Sequence, residues 1–286
     1  MSLVTVDPAL ISRLEEKAVD IRKKIIDLTV IAGSGHLGGA LSMVEILVAL
    51  YYHTLKVDPS QPKWPERDRF ILSKGHGALA LYPILADRGF YPEELMSNFN
   101  GLDSPFGMHP DMNKIPGVEM STGSLGHGLS VAVGCALTAR LDCASWRTFC
   151  LLGDGELNEG TVWEAAMSAS KYKLGNLVAL VDRNGFSLDG PTEEIMPLEP
   201  LKEKWIAFGW DTVEIDGNNM AEVLNALESL PEASGERPQC IIARTVKGKG
   251  VSFMENQSEW HYGCVDEQKA EEVKAELELA RKGRGC

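Results

Sequence analysis

The sequence has little positive charge, no paired-cysteine signature and no apolar run long enough to cross a bilayer. Lysine and arginine number 28 against 41 aspartates and glutamates, a formal charge of −13. That balance excludes nucleic acid and anionic membrane as partners. It also raises a question, because so acidic a chain repels any phosphorylated ligand unless a metal or local donors compensate. The six cysteines (Cys135, Cys143, Cys150, Cys240, Cys264 and Cys286) form no CxxC and no zinc spacing. They read as reduced thiols, so the cytoplasm is the expected compartment. No signal-peptide pattern precedes the first polar helix, and no segment reads as a membrane span. Hydrophobic content of 44% and charged content of 24% are ordinary for a globular protein.

At 286 residues the chain could hold two domains of about 150 residues or one large α/β domain. Neither an internal repeat nor an interdomain linker is visible, so one domain over residues 1–286 is expected. Asp7-Pro8 reads as an N-cap with proline at the first helical position. Leu10, Leu14, Ala18, Ile21, Ile25 and Leu28 then mark one helix face, ending near Gly33-Ser34-Gly35. A second helix is predicted over residues 42–53. Short apolar runs at 70–72, 148–152, 177–181, 211–215 and 240–243 read as strands separated by helices. That alternation predicts a mostly parallel central sheet with helices on both faces. Residues 91–121, rich in Gly, Pro and Asn, form a long excursion of the kind that is often functional. Residues 266–282 read as a charged helix with a weak apolar stripe, a solvated edge element, with 283–286 frayed.

Glycine-rich loops follow several strands: Ser73-Lys74-Gly75-His76-Gly77, Gly153-Asp154-Gly155 and Asn184-Gly185. In an open parallel sheet, ligands bind at the carboxyl ends of strands. Asp154 follows one strand and Asn184 the next, with 28 residues, 156–183, between the Gly153-Asp154-Gly155 turn and Asn184. Neighbouring parallel strands bring the two side chains together. A carboxylate oxygen and an amide oxygen, completed by a carbonyl, phosphate oxygens and water, make a hard-oxygen shell suited to magnesium. Gly153 and Gly155 let backbone approach a diphosphate closely. Bound metal would answer the charge question. The plain alternative for Asp154 is a turn residue that caps a helix.

This arrangement resembles the GDG…N signature of thiamine-diphosphate enzymes. Five of the six histidines, His36, His76, His109, His127 and His261, sit in loop-like or glycine-flanked contexts, where sites are built. With them the chain resembles the N-terminal third to half of transketolase over nearly its whole length. The segments that carry the resemblance include Gly33-Ser34-Gly35-His36, Leu72-Ser73-Lys74-Gly75-His76, His109-Pro110 and Thr122-Gly123-Ser124-Leu125-Gly126. They continue through residues 153–160, 174–190 and 245–253, followed by His261. The resemblance implies the thiamine-diphosphate-binding fold. It implies that Asp154, Asn184 and the carbonyl of Phe186 hold the metal, Mg2+ with Ca2+ or Mn2+ as alternatives. It implies that Gly155, His76 and His261 contact the diphosphate and that Gly123 and Leu125 line the path of the aminopyrimidine. His36 and His109, aided by His76 and His261, would face the donor sugar and move protons at its hydroxyls. Glu159 and Glu164 match acidic interface positions of the family; a helix N-terminus explains them equally well. His127 stands where the family more often has glutamine and reads as a helix-start residue. Lys247-Gly248-Lys249-Gly250 is either a surface turn or the start of a loop closing over the cofactor.

A full transketolase is far longer. In the family, the glutamate that tunes the aminopyrimidine and the basic residues that grip a sugar phosphate lie in a second, pyrimidine-binding domain. Nothing in this sequence looks like that domain. The resemblance therefore implies a split enzyme, whose partner is a C-terminal transketolase subunit. It also implies an α2β2 assembly, with sugars or sugar phosphates as substrates. Two rivals stay open, the α subunit of a 2-oxoacid dehydrogenase and a noncatalytic module of the same fold. A deoxyxylulose-phosphate synthase-like activity fits so short a chain less well.

Overall fold

The first helix, α1 (Pro8–Ala32), starts where Asp7 accepts a hydrogen bond from the Ala9 N–H (3.0 Å), and it stops at Gly33, whose φ of 64° few other residues adopt. Residues 6–283 are described by the structure, a computed structural model. The helices that follow are α2 (Leu37–Ser42), α3 (Val44–Ala49), α4 (Ala78–Asp87), α5 (His127–Leu141), α6 (Gly160–Lys171), α7 (Thr192–Ile195), α8 (Leu201–Ala207), α9 (Met220–Glu228) and α10 (Glu267–Gly283). The strands are β1 (Arg69–Leu72), β2 (Thr148–Gly153), β3 (Leu177–Arg183), β4 (Asp211–Asp216) and β5 (Gln239–Arg244), each on one of the five apolar runs.

The five strands form one parallel sheet in the order β1-β2-β3-β5-β4. Alternate residues of each strand face opposite layers, as the two-residue period of a strand requires. Phe149, Leu151, Val178, Leu180 and Ile241 pack with α1–α4, while Cys150, Leu152, Ala179, Val181 and Ile242 pack beneath α5, α6 and α8. Because the middle strands are covered on both faces, β2 and β3 are buried along their whole length. The excursion at 91–121 is almost entirely irregular, with one 3-10 segment at Glu93–Asn98.

Two expectations needed correction. The second helical stretch begins at Leu37 rather than residue 42, breaks at Met43 and ends as a π-helical turn at Leu50–Thr54. Gly38 and Gly39 are therefore helical, not loop. Gly38 is required by close approach: a Cβ there would sit 3.0 Å from the Lys247 side chain and from the Trp260 carbonyl. The second correction concerns α10. Its stripe of Ala270, Val273 and Leu277 is fully buried, and α10 packs on α1 with a Lys274–Asp27 ion pair of 2.8 Å at the seam. A few spaced apolar positions on a mostly charged helix suffice to dock it, because the charged side chains occupy the other faces. Residues 284–286, Cys286 among them, lie outside the described residues. Of the other cysteines, Cys135, Cys143, Cys150, Cys240 and Cys264 are free thiols. No helix among the described residues is long and apolar enough to cross a membrane.

The buried stripe can be tested. Leu277→Ala should cost about 2–4 kcal/mol in urea denaturation, as for other buried leucines. Leu279→Ala, two residues on and 70% exposed, should stay within about 0.5 kcal/mol. Equal effects would show that α10 is not docked.

Candidate active site

Strand order decides which loops meet. β1, β2, β3 and β5 are side by side, so the segments after their carboxyl ends (73–77, 154–158, 184–188 and 245–250) lie next to one another. They enclose a cavity of about 310 Å³. The corner between α1 and α2 adds His36, the irregular excursion adds His109, and the 122–126 segment that follows it adds Gly123 and Leu125. Tight contacts hold these loops in place. A Cβ on Gly75 would come within 2.6–2.8 Å of Thr122, and one on Gly128 within 2.3 Å of the Ser73 hydroxyl. Gly35 accepts a hydrogen bond from Gly263 N–H (2.8 Å), which ties the His36 corner to the His261 segment.

At the tip of β3 the Asp182 carboxylate, fully buried, forms an ion pair with Lys74 at 2.5 Å and accepts hydrogen bonds from the hydroxyls of Ser42 and Thr245. It also accepts the Asn184 side-chain N–H (3.2 Å), which fixes the amide with its oxygen turned away from Asp182. That oxygen accepts from the Phe186 N–H at 3.1 Å. Across the gap, Asp154 accepts from the N–H groups of Gly155 (2.8 Å) and Gly185 (2.6 Å) and from Arg183 (3.1 Å). Burial, and then the neighbouring Asp182, raise the Asp154 pKa above the usual carboxylate value against these donors. Glu156 staples three loops together. It accepts from Gly126 N–H (2.8 Å), Gly153 N–H (3.0 Å) and the Ser73 hydroxyl.

Four histidine rings gather on the other wall. His36 lies 5.2 Å from His76, 6.2 Å from His109 and 5.5 Å from His261 between ring centroids. Each is held as a neutral base. Burial, then His109 and Lys74, lower His36 to about 4; burial, then Lys247, lower His261 to about 3. Burial also lowers His76 and His109. The Lys247 ammonium donates to the Ser187 carbonyl (2.8 Å) and sits 3.1 Å from His261 Nδ1. Burial, then Lys74, bring its pKa down to about 8. The local charge balance is thus far from that of the whole chain, with two buried ammonium groups beside the carboxylates.

Of the residues singled out from the sequence, His36, His76, His109, His261, Gly123, Leu125, Gly153, Asp154, Gly155, Asn184 and Phe186 all line this one cavity. Glu159 does not. It occupies the position before α6 without a side-chain capping bond, and a Cβ on Gly126 would lie 2.7 Å from its own Cβ, so it stands behind the 123–126 loop. Glu164 lies on α6 and is exposed, and His127 is the exposed first residue of α5. Lys74 and Asp182 gain a place that the sequence reading gave them no part in. A signal existed for Asp182, an acid at the end of an otherwise apolar strand. Lys247, which the sequence left between a surface turn and a closing loop, proves to face the cavity. It faces inward because Gly248 N–H bonds to the Gly38 carbonyl at 3.0 Å, a contact between segments 210 residues apart (248 − 38).

The parallel sheet with its ligand cleft at the carboxyl ends defines an α/β fold of the thiamine-diphosphate-binding type. Solved transketolases share it: that of Leishmania mexicana superposes with a TM-score of 0.86 at 29% identity over 92% of this chain and 41% of that one. The Campylobacter jejuni enzyme gives 0.83 at 32% identity over 94% and 43%. The chain belongs to the transketolase family: residues 14–282 match the model of "Transketolase, thiamine diphosphate binding domain". It is 42% identical to one subunit of the apulose-4-phosphate transketolase of Phocaeicola vulgatus, covering 93% of this chain and 94% of that one. It is 45% identical to the 6-deoxy-6-sulfo-D-fructose transketolase subunit SqwG of a Clostridium species, covering 93% and 96%. Human transketolase is 38% identical, and there the chain spans only 43% of the relative.

The histidine electrostatics predict an acid limb in stability. Between the usual pKa of 6.5 and the folded values of about 4 and 3, the unfolded chain binds protons that folded His36 and His261 do not. Stability is therefore complete above the upper value and declines as pH falls through the window. Urea midpoints measured from pH 7 to pH 4 should drop less steeply for His36→Gln than for the wild type; parallel curves would contradict this account.

Proposed function

We propose that this chain is the diphosphate-binding half of a two-subunit transketolase, which passes a two-carbon ketol unit from a ketose or ketose phosphate to an aldose or aldose phosphate. The observation that carries the reading is the joining, in one cavity, of the Asp154–Asn184–Phe186 corner to four neutral histidines and two buried lysines. Thiamine diphosphate, when bound, supplies a nucleophilic thiazolium carbon able to take up such a unit and give it away.

The chemistry of the cavity suits that cofactor. A carboxylate, an amide oxygen whose orientation is fixed by Asp182, and a backbone carbonyl offer hard oxygens to a divalent ion of the magnesium class, with Ca2+ or Mn2+ as substitutes. Among the described residues no three His, Cys, Asp or Glu are grouped to hold a metal, so the remaining positions would fall to diphosphate oxygens and water. Gly39 leaves room beside Lys74 and His76: a Cβ there would stand 3.3 Å from the Lys74 ammonium and 3.6 Å from His76 Nε2. Lys74, Lys247, His76, His261 and the Gly155 backbone would bind the diphosphate, Gly153 would let it approach, and Gly123 and Leu125 would flank the aminopyrimidine. His36 and His109, neutral at physiological pH, would accept and return protons at the donor hydroxyls. Because Lys247 titrates near 8, anion binding would be full below that pH and weaken above it.

The partner requirement rests on what the cavity does not offer. Of its carboxylates, Asp154 is assigned to the metal and Glu156 is engaged by the Gly126 and Gly153 N–H groups and the Ser73 hydroxyl, leaving neither to tune an aminopyrimidine ring. That group would come from a C-terminal, pyrimidine-binding subunit, and we place Glu159 near this interface. An α2β2 assembly and a cytoplasmic setting complete the reading. Relatives named for apulose-4-phosphate and 6-deoxy-6-sulfo-D-fructose support a sugar or sugar-phosphate substrate.

The isolated chain should show no ketol transfer, and adding the partner should restore it; robust turnover by this chain alone would refute the two-subunit reading. In the reconstituted complex Asp154→Asn should lower metal-dependent activity by about 100-fold or more, since even outer-sphere partners of a metal site contribute about 10–100-fold. Unchanged activity would remove Asp154 from the metal site.

A further inference from the structure

Arg183 closes β3, one residue before Asn184, and its guanidinium is almost wholly buried. One amino group reaches Asp154 (3.1 Å) and the Thr192 hydroxyl (2.6 Å). The other reaches Glu193 (2.7 Å) and Glu199 (3.3 Å), whose side chains are 43% and 40% exposed. Its Nε is buried without a partner among the described residues. A planar fork that can lean toward either set of carboxylates is thus seated between the metal corner and the 192–200 segment.

From this geometry we infer that Arg183 is a resident counter-cation of Asp154, competing with the divalent ion for that carboxylate and thereby setting the ion's affinity. Without metal, Arg183 offsets the charge of a buried Asp154 that has a second carboxylate, Asp182, beside it. When a divalent ion takes the carboxylate, the guanidinium becomes a like charge a few ångströms away. Glu193 and Glu199 then hold it, so these surface carboxylates act on metal binding from outside the cavity. Arg183 is a positioning residue in this scheme: it touches a metal ligand, not the substrate.

The inference rests on the proposed role of Asp154, and the test separates the two. Mn2+ binding to the full chain would be followed by the electron paramagnetic resonance signal of free Mn2+, at fixed inorganic pyrophosphate. Removing a unit positive charge beside the site should make Arg183→Met bind Mn2+ roughly tenfold tighter or more, at an effective dielectric of about 20. Arg183→Lys, which keeps the charge, should stay near the wild type. Glu193→Gln with Glu199→Gln should weaken binding several-fold, because Arg183 then leans on Asp154. That pair lies at the surface and keeps the test alive if Arg183→Met does not fold, as judged by circular dichroism. A purely structural role predicts the opposite sign, and a folded Arg183→Met that binds Mn2+ equally or more weakly would overturn the inference. So would a double glutamine variant with unchanged affinity. If the wild type binds no Mn2+, or binds it as well after Asp154→Asn, the metal site itself fails and the inference falls with it.

Discussion

Asp182 places a carboxyl side chain at a point of the sheet that water does not reach, and the carboxyl edge is organised around the donors that bond to it. Lys74 comes from the loop after β1, Ser42 from α2, Thr245 from the segment after β5 and the Asn184 amide from the residue just beyond β3. A buried carboxylate without such partners is costly, and removing one partner of a buried pair commonly destabilises by about 3–5 kcal/mol. The same contacts that satisfy the charge orient groups for chemistry. Lys74 is drawn to the cavity floor, and the Asn184 oxygen is left as the end that can face a metal. Structure and site share one set of bonds.

The acidity of the whole chain does not carry over to this cleft. Burial makes every histidine there a neutral base, and Lys74 stands close enough to Lys247 to lower its proton affinity. A diphosphate with its metal would relieve both tensions, since it brings negative charge to the lysines and positive charge to the carboxylates. The −13 of the whole chain is no barrier, because exposed charges more than about 10 Å away are screened by salt while buried ones are not.

This polypeptide fills nearly the whole length of relatives called subunits, yet less than half of the human enzyme. Its cleft supplies anion-binding groups, hard oxygens and proton carriers but keeps its own carboxylates occupied. That division suits a fold in which one layer grips the polar tail of a cofactor and a second protein surface finishes the reacting end.

Much of this was legible in the sequence. The strands announced themselves as apolar runs, because a parallel sheet covered on both faces needs hydrophobic side chains at consecutive positions. Asp7-Pro8 and Gly33 fixed the bounds of α1 through local backbone chemistry alone. The residues that line the cavity stood out because glycine, histidine and aspartate after a strand have few structural uses. Tertiary contacts decided the rest. No local feature says that β5 inserts between β3 and β4, yet that order puts Lys247 within hydrogen-bond reach of the Ser187 carbonyl, just beyond β3. Gly38 fell between the expected helices, and only the close approach of Lys247 and Trp260 explains it. The stripe of α10 looked weak because its worth depends on α1, a neighbour more than 200 residues away in the chain. Residue types and spacing determined which chemistry this protein carries, since those are properties of short segments. Which side chains share a charge, and hence which are neutral, which are paired and which point inward, depends on distances between remote segments, and only folding sets those.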